Sequence, residues 1–197
     1  MRAALPVPAL VLGVAVACPT AGPATDDDDA ANYDPSCLPA GVTPASEPKF
    51  ATLRSHIDGD TAIFEIDGMG REYVRFLSVD TPEVRHGATP ADCYGDAAST
   101  ATEERLPVGA SVWLTFGPEL RDGFDRVLAY IHKGDTPSCT GFDDWVNLTM
   151  VTQGEACEFV WSNNENWLDQ FRAAESEARS EDRGLWGECR DATDLCR

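Results

Sequence analysis

Five stretches of the chain combine short apolar runs with β-branched or aromatic residues, and this pattern predicts five strands. They cover residues 50–57, 61–66, 73–79, 111–116 and 127–132. Asp58-Gly59-Asp60 separates the first two strands, and residues 67–70 (Asp-Gly-Met-Gly) separate the next two, so both junctions are predicted hairpin turns. The third predicted strand is largely apolar but carries one conspicuous charge, Arg75.

Three helices are predicted between and after these strands. The first two cover residues 96–105 and 144–153, and the third begins after a cap at Asn163 or Asn164 and stops at Gly184. Helical spacing in the third is set by Trp167, Phe171, Ala174 and Ala178. Five strands with interspersed helices favour an α+β domain that is mainly a β barrel, namely a five-stranded OB-fold barrel with three helices.

The N-terminus has the pattern of an export signal. Residues 8–17 are apolar, too few to span a bilayer, and Ala15-Val16-Ala17 is a small-residue cleavage site. We therefore expect a signal peptide at residues 1–17 and an exported bacterial protein. Cleavage would leave Cys18 first, which resembles the start of a bacterial lipoprotein, so a lipid anchor at Cys18 and ordinary secretion both remain open.

The segment after the signal peptide is rich in Pro, Ala, Gly, Thr and Asp, including four consecutive Asp at residues 26–29. Such a composition buries too little apolar surface to fold, so residues 18–49 are expected to form a flexible acidic tether. The folded domain is predicted at residues 50–190, followed by a C-terminal tail at residues 191–197.

The chain has seven cysteines, and six remain when Cys18 is set aside. Six cysteines are consistent with three disulfides, in any of about 15 connectivities. Cys189 and Cys196 are close in sequence and could close a small C-terminal loop. The chain has no C-x-x-C pair, and its three histidines are scattered, which argues against a zinc site.

Charge places a limit on how this protein could hold a partner. The chain has 34 Asp+Glu against 15 Lys+Arg, a net charge of -19, and residues 50–190 alone carry a net charge of -14. This balance argues against a nucleic acid or an anionic membrane held by bulk electrostatics.

Acidic groups and arginines occur together in three short stretches, residues 58–61, 75–83 and 122–126. Asp60, Asp80 and a backbone carbonyl are the hard oxygen ligands that calcium prefers. Glu83 could orient or deprotonate a water molecule, and the guanidinium groups of Arg75 and Arg126 match phosphate oxygens. Taken one at a time, these stretches are ordinary turns or a surface ion pair. Together they form a set suited to phosphodiester hydrolysis.

Residues 56–186 resemble the staphylococcal nuclease (micrococcal, thermonuclease-like) family. The resemblance lies in Ile57-Asp-Gly-Asp-Thr61, in residues 74–83 (VRFLSVDTPE), in Cys93-Tyr-Gly-Asp-Ala97, in residues 126–131 (RVLAYI), in Val146-Asn147 with Gln153-Gly154, and in residues 175–186. It implies an OB-fold barrel and calcium-dependent cleavage of DNA and RNA to 3′-phosphate ends.

The resemblance also implies a role for each site residue. Asp60 and Asp80 would be the calcium carboxylates, with the carbonyl of Thr81 as a further ligand. Glu83 would act on the attacking water, either as a general base or by orienting it. Arg75 and Arg126 would bind the phosphate and the transition state. Asp58 would lie in the outer shell of the metal.

Several positions depart from the family pattern. Asp125 stands where the family usually has Gly; Asp tolerates a left-handed conformation, but its carboxylate could compete with phosphate for Arg126. Gly123 and Phe124 stand where relatives often have Lys and Tyr, so the grip on phosphate should be weaker. Asn147-Leu-Thr149 matches a glycosylation sequon, but within a predicted helix we interpret it as chance.

The leading hypothesis is therefore an exported, calcium-dependent nuclease that acts as a monomer on DNA and RNA. The alternative is a non-catalytic OB-fold module that binds nucleic acid or protein. Such a module would tolerate the loss of Glu83 or Arg126, and this sequence has both. A third hypothesis, an acidic calcium-binding surface protein, would rest on residues 26–29.

Overall fold

The computed structural model describes residues 42–134, 144–160, 164–190 and 195. The predicted signal peptide, Cys18 and most of the tether lie outside these residues, as do the tail apart from residue 195, the possible helix cap Asn163, and Cys196. Among the residues described, no helix has the length and apolar character needed to cross a membrane.

Five strands close into a barrel, as the pattern of apolar positions predicts. They are β1 (Lys49–His56), β2 (Thr61–Ile66), β3 (Gly70–Phe76), β5 (Ser111–Thr115) and β6 (Val127–His132), and their order around the barrel is β1-β2-β3-β6-β5. Neighbouring strands are antiparallel except β3 and β6, which pair in parallel. The barrel interior is a single apolar cluster that includes Leu53, Phe64, Phe76, Leu114 and Ile131.

The third predicted strand is divided in two by a left-handed residue. Ser78 has φ 61°, so β3 ends at Phe76 and a separate short strand, β4 (Val79–Asp80), follows. β4 pairs with β7 (Cys157–Glu158) instead of continuing along the barrel. The hydroxyl of Ser78 is 2.9 Å from that of Tyr130, which holds this bend against the barrel. The prediction of one strand over residues 73–79 was therefore wrong at its end.

Helices pack around the barrel at α1 (Gly95–Arg105), α2 (Val146–Thr152), α3 (Leu168–Ser180) and α4 (Leu185–Glu188). The first three confirm the predicted helices. The expected cap at Asn164 was wrong, because α3 begins after Trp167, which has φ 64°. Asn164 is instead buried and donates from Nδ2 to the Tyr130 hydroxyl at 3.3 Å.

The Asn147 sequon is structural. Its side chain is fully buried at the start of α2, where Nδ2 donates to the carbonyl of Leu77 at 2.8 Å. Its Oδ1 accepts from the amide of Ile131 at 2.8 Å. These bonds satisfy two backbone groups at the point where β3 leaves the barrel, and they agree with the interpretation of the sequon as chance.

A disulfide joins Cys93, just before α1, to Cys189, just after α4. The expected pairing of Cys189 with Cys196 was therefore wrong. Proximity in sequence misled that prediction, because the fold brings together two cysteines that are 96 positions apart. Cys157 is also disulfide-bonded.

Candidate active site

Asp60 lies at the end of the turn between β1 and β2, and its carboxylate is buried. Oδ2 accepts hydrogen bonds from the amide and hydroxyl of Thr81, at 2.8 and 3.1 Å, and Oδ1 accepts from the Thr61 hydroxyl at 3.1 Å. The turn is tight, since a Cβ on Gly59 would lie 2.7 Å from the Thr81 hydroxyl oxygen. Glycine in this turn thus allows the segment after β4 to approach Asp60 closely.

Arg75 joins the two predicted calcium carboxylates. Its Nε is 3.2 Å from Asp60 Oδ1, and its Nη2 donates to Asp80 Oδ1 at 2.8 Å. Its Nη1 donates to the carbonyls of Phe76 and Val79, at 2.9 and 2.6 Å. The bend at residues 77–78 makes these bonds possible, because it turns β4 back toward the guanidinium. Only 6% of the Arg75 side chain is exposed.

The donor chemistry of this group fits a hard divalent cation. Two carboxylates, Asp60 and Asp80, converge on one guanidinium, and the atoms available to bind a metal ion are oxygen atoms. Across the described ranges, no cluster of three or more His, Cys, Asp or Glu could hold a metal ion. A cation held by Asp60 and Asp80 would need a backbone carbonyl and water to complete the six to eight oxygens that calcium prefers.

Asp58 lies in the same turn as Asp60. Its Oδ1 accepts from the amide of Asp60 at 3.1 Å. Burial, followed by the negative charge of Asp60, raises the pKa of Asp58 to about 6. The carboxylate of Glu83 contributes to the same rise, and Arg75 opposes it. Asp58 is thus close enough to sense the charge of three predicted site residues.

Glu83 follows Thr81 and Pro82 on an exposed loop, and 66% of its side chain is exposed. Its carboxylate is 3.5 Å from Nε2 of His86. Its backbone is held more firmly, because its carbonyl accepts from the amide of Asp92 at 2.9 Å and its amide donates to the Asp92 carboxylate at 3.3 Å. The backbone of Glu83 is fixed while its carboxylate faces solvent.

Arg126 lies at the end of a turn that precedes β6. The Asp122 carboxylate accepts from the Arg126 amide at 2.9 Å and from its Nε at 2.6 Å. The guanidinium also lies 5.5 Å from the ring centre of Phe124, which is 80% exposed. Because Val127 pairs with Val74, the turn brings Arg126 alongside the strand that carries Arg75.

Asp125 adopts φ 65°, so the left-handed turn survives without glycine as predicted. Asp125 Oδ1 lies 3.6 Å from Nη1 of Arg121. The carboxylate of Asp122 pairs with Arg126. The burial of Asp122 disfavours its charge, but bonds from Arg126 and from the amide of Phe124 outweigh this and lower its pKa.

Sequence reasoning missed the residues that position these groups. They are Ser78 at the bend, Asp92 at the base of the Glu83 loop and Asp122 beside Arg126. Asp122-Gly123 has a recognisable turn signature, so an Asx-type bond to the following residues could have been expected. Ser78 gave no such signal, because serine is not typical of the left-handed region.

Residues 73–188 match the family described as staphylococcal nuclease homologue. The chain belongs to the staphylococcal nuclease family. The match runs from within β3 to the end of α4 and therefore covers most of the site, and it confirms the resemblance and the OB-fold barrel expected from it.

The matches to individual relatives are longer than this family match. The chain is 33% identical over 130 residues to a thermonuclease of Staphylococcus intermedius, a match that covers 66% of this chain and 71% of the relative. It is 34% identical over 137 residues to endonuclease YncB of Bacillus subtilis, covering 68% of this chain and 60% of that protein. A thermonuclease of Staphylococcus hyicus is 29% identical over 147 residues, covering 75% and 80%.

Proposed function

We propose that this protein is a calcium-dependent endonuclease that hydrolyses phosphodiester bonds in DNA and RNA and leaves 3′-phosphate ends. Support comes from family membership and from relatives named thermonuclease and endonuclease. The observation that carries the proposal is the contact of one buried guanidinium, Arg75, with both Asp60 and Asp80. Such an arrangement prepares two carboxylates for one cation beside a phosphate-binding arginine.

The metal half of the site would be formed by Asp60, Asp80 and the carbonyl of Thr81. Bound calcium would supply positive charge to the scissile phosphate. Thr81 holds Asp60 in place through two hydrogen bonds, so the side chain has little freedom to turn away. Asp58 would remain outside the direct ligands, where it accepts from the amide of Asp60.

The chemical step would fall to the exposed residues. Glu83 accepts a hydrogen bond from the attacking water and directs its oxygen toward phosphorus. The water oxygen bonds to phosphorus and gives up a proton to Glu83 or to solvent, the bond from phosphorus to the 5′ oxygen breaks, and that oxygen takes up a proton from the same source. Arg126 donates to the phosphate oxygens as their negative charge rises in the transition state.

The charge of the domain fits substrate binding through a few groups at the site. With a net charge of -14 over residues 50–190, the surface repels a polyanion at long range. Binding would therefore depend on calcium, Arg75 and Arg126, and we expect a high KM. Little affinity should remain when calcium is removed.

The test is cleavage of supercoiled plasmid by the purified protein in calcium or in chelator. We expect nicked and linear products only with calcium, and fragments whose 3′ ends carry phosphate. A protein that binds DNA but yields no products at any calcium or salt concentration would instead be the non-catalytic binding module.

Export, either with a lipid anchor at Cys18 or by ordinary secretion, and a monomeric state complete the proposal. Intact-mass measurement of the protein recovered from its native host tests the first two. A diacylglycerol adduct supports the anchor, an unmodified chain starting at Cys18 supports secretion, and an uncleaved chain contradicts both. Light scattering tests the monomer.

A further inference from the structure

The loop that carries Glu83, residues 83–92, has little support from its own side chains. Residues 85–90 are all exposed, and the pairing of His86 with Thr89 is the backbone bridge inside the loop. A loop of this kind places a catalytic carboxylate only as well as its two ends are held. The support for those ends therefore matters for the proposed reaction, on which this inference rests.

The two ends of the loop meet at the start of α1. Asp92 closes the loop through two bonds to the backbone of Glu83. Gly95, the first residue of α1, lies so close that a Cβ there would be 2.2 Å from the Glu83 carbonyl oxygen. The backbone of Glu83 thus rests directly on the N-terminus of α1, and any shift of that helix end is passed to Glu83.

The C-terminal end of α1 is fixed to the barrel side of the site. Thr102 donates from its hydroxyl to the carbonyl of Gly59 at 2.8 Å. Arg105 forms a two-bond ion pair with Glu155. Since Gly59 belongs to the turn that carries Asp60, this end of α1 is held in a fixed position relative to the metal half of the site.

The N-terminal end of α1 is fixed by a covalent bond. Cys93, two residues before Gly95, is bonded to Cys189 at the end of α4. The entry to α4 is itself anchored, since the amide of Leu185 donates to the carbonyl of Gly154 at 2.8 Å. Tyr94 packs on the small apolar cluster formed there by Cys157, Leu185 and Cys189.

We propose that the Cys93–Cys189 disulfide is a positioning element for Glu83. It holds the N-terminus of α1 against the base of the Glu83 loop, while Thr102 and Arg105 hold the other end. The helix then acts as a spacer between the Asp60 turn and Glu83, and the disulfide determines the position of its N-terminal end. Loss of the bond should lower kcat and leave KM and calcium affinity nearly unchanged.

The first test is the double variant Cys93→Ala/Cys189→Ala in single-turnover cleavage. A fall in the single-turnover rate constant of about tenfold to a hundredfold is expected, because a displacement of a catalytic group by about 1 Å can have effects of that size. In a Glu83→Gln background, the same double substitution should cost less than twofold. Equal costs in both backgrounds would show that the disulfide does not act through Glu83 and would overturn the proposal.

The second test leaves the disulfide intact. Gly95→Ala should lower kcat by a similar factor, because the new methyl group must displace the Glu83 carbonyl. Glu103→Gln, at an exposed position in the second half of the same helix, is the control and should leave kcat unchanged. If the cysteine variant does not fold, Gly95→Ala decides the question, and an unchanged kcat there overturns the coupling.

Hydrogen exchange separates this inference from the proposed function. In the double cysteine variant, the amides of Asp92, Gly95 and Ala98, all hydrogen-bonded here, should exchange at least tenfold faster, while those of β2 and β3 should not change. Unchanged exchange at residues 92–98 overturns the inference. Faster exchange at these amides, in a protein that never cleaves nucleic acid, would support the positioning and overturn the nuclease.

Discussion

The buried half of the site, formed by Asp60, Arg75, Asp80 and Thr81, differs in construction from the exposed half, formed by Glu83 and Arg126. The side chains of Asp60 and Arg75 are 8% and 6% exposed, whereas that of Glu83 is 66% exposed. Asp80 and Arg126, at 24% and 25%, lie at the edges of the two halves. In the buried half, side chains hold each other. In the exposed half, backbone contacts and neighbouring acids hold the residues. Substitutions should therefore affect stability and activity together in the buried half, whereas a substitution of Glu83 should affect activity alone.

The largest effect is expected at Asp60. Asp60→Asn leaves the buried guanidinium of Arg75 without one of its two carboxylates, and breaking a buried ion pair costs about 3 kcal/mol. Calcium-dependent cleavage should also fall by at least about a thousandfold, because a metal carboxylate is lost. Urea denaturation and single-turnover rates measure the two effects.

Asp67→Asn is the matched control for that variant, since Asp67 is an exposed acid in a hairpin turn. It should change neither quantity measurably. An Asp60→Asn protein as stable as the wild type would show that the buried half is not held by its ion pairs.

Glu83→Gln should affect activity alone. Loss of a group that acts on the attacking water commonly lowers kcat by about 10²–10⁴-fold. The free energy of unfolding should stay within about 0.5 kcal/mol of the wild type, because the carboxylate is exposed. Glu104→Gln on α1 is the control. A destabilised Glu83→Gln protein would remove the distinction between the two halves.

Arg126→Ala sharpens the comparison, because Arg126 is partly exposed but the carboxylate that it binds, that of Asp122, is buried. The side chain of Asp122 is 0% exposed, so the variant leaves a covered carboxylate without its Nε donor. We expect kcat to fall about 10²–10³-fold and the free energy of unfolding to fall by about 1–2 kcal/mol. A stability equal to that of the wild type would mean that the backbone amides alone satisfy Asp122.

The smallest effect is a dependence of stability on pH at Asp122. Burial opposes its charge, but the bonds from Arg126 and Phe124 prevail and hold its pKa below the ordinary value of 3.8. An acid with a lowered pKa stabilises the fold above its unfolded pKa, and this contribution is lost as pH falls through the folded pKa. The gap in unfolding free energy between the wild type and Asp122→Asn should therefore shrink between about pH 5 and pH 2. A gap that widened in acid would contradict this sign.

The sequence could predict the barrel because its strands alternate or cluster apolar residues between clear turn signals. It could also indicate candidate site residues, since Asp60, Arg75, Asp80 and Glu83 occur in a spacing shared with a known family. Both predictions depend on short-range patterns, which are visible in a single sequence.

Long-range arrangement could not be predicted in the same way. The bend at Ser78 depends on a hydrogen bond to Tyr130, 52 positions away, and the disulfide joins cysteines 96 positions apart. The start of α3 follows a left-handed Trp167, a conformation unusual for a bulky residue. These features arise from tertiary packing, and the bend at Ser78 is the one that turns Asp80 toward Arg75.

Calcium titration calorimetry on the wild type, Asp80→Asn and Glu83→Gln, paired with cleavage rates, tests the central claim most directly. We predict that Glu83→Gln binds calcium like the wild type but barely cleaves. Asp80→Asn should lose at least about tenfold in calcium affinity together with its activity, because calcium depends on carboxylate oxygens. Calcium binding by Asp80→Asn at wild-type affinity would contradict the assignment of Asp60 and Asp80 as the metal site.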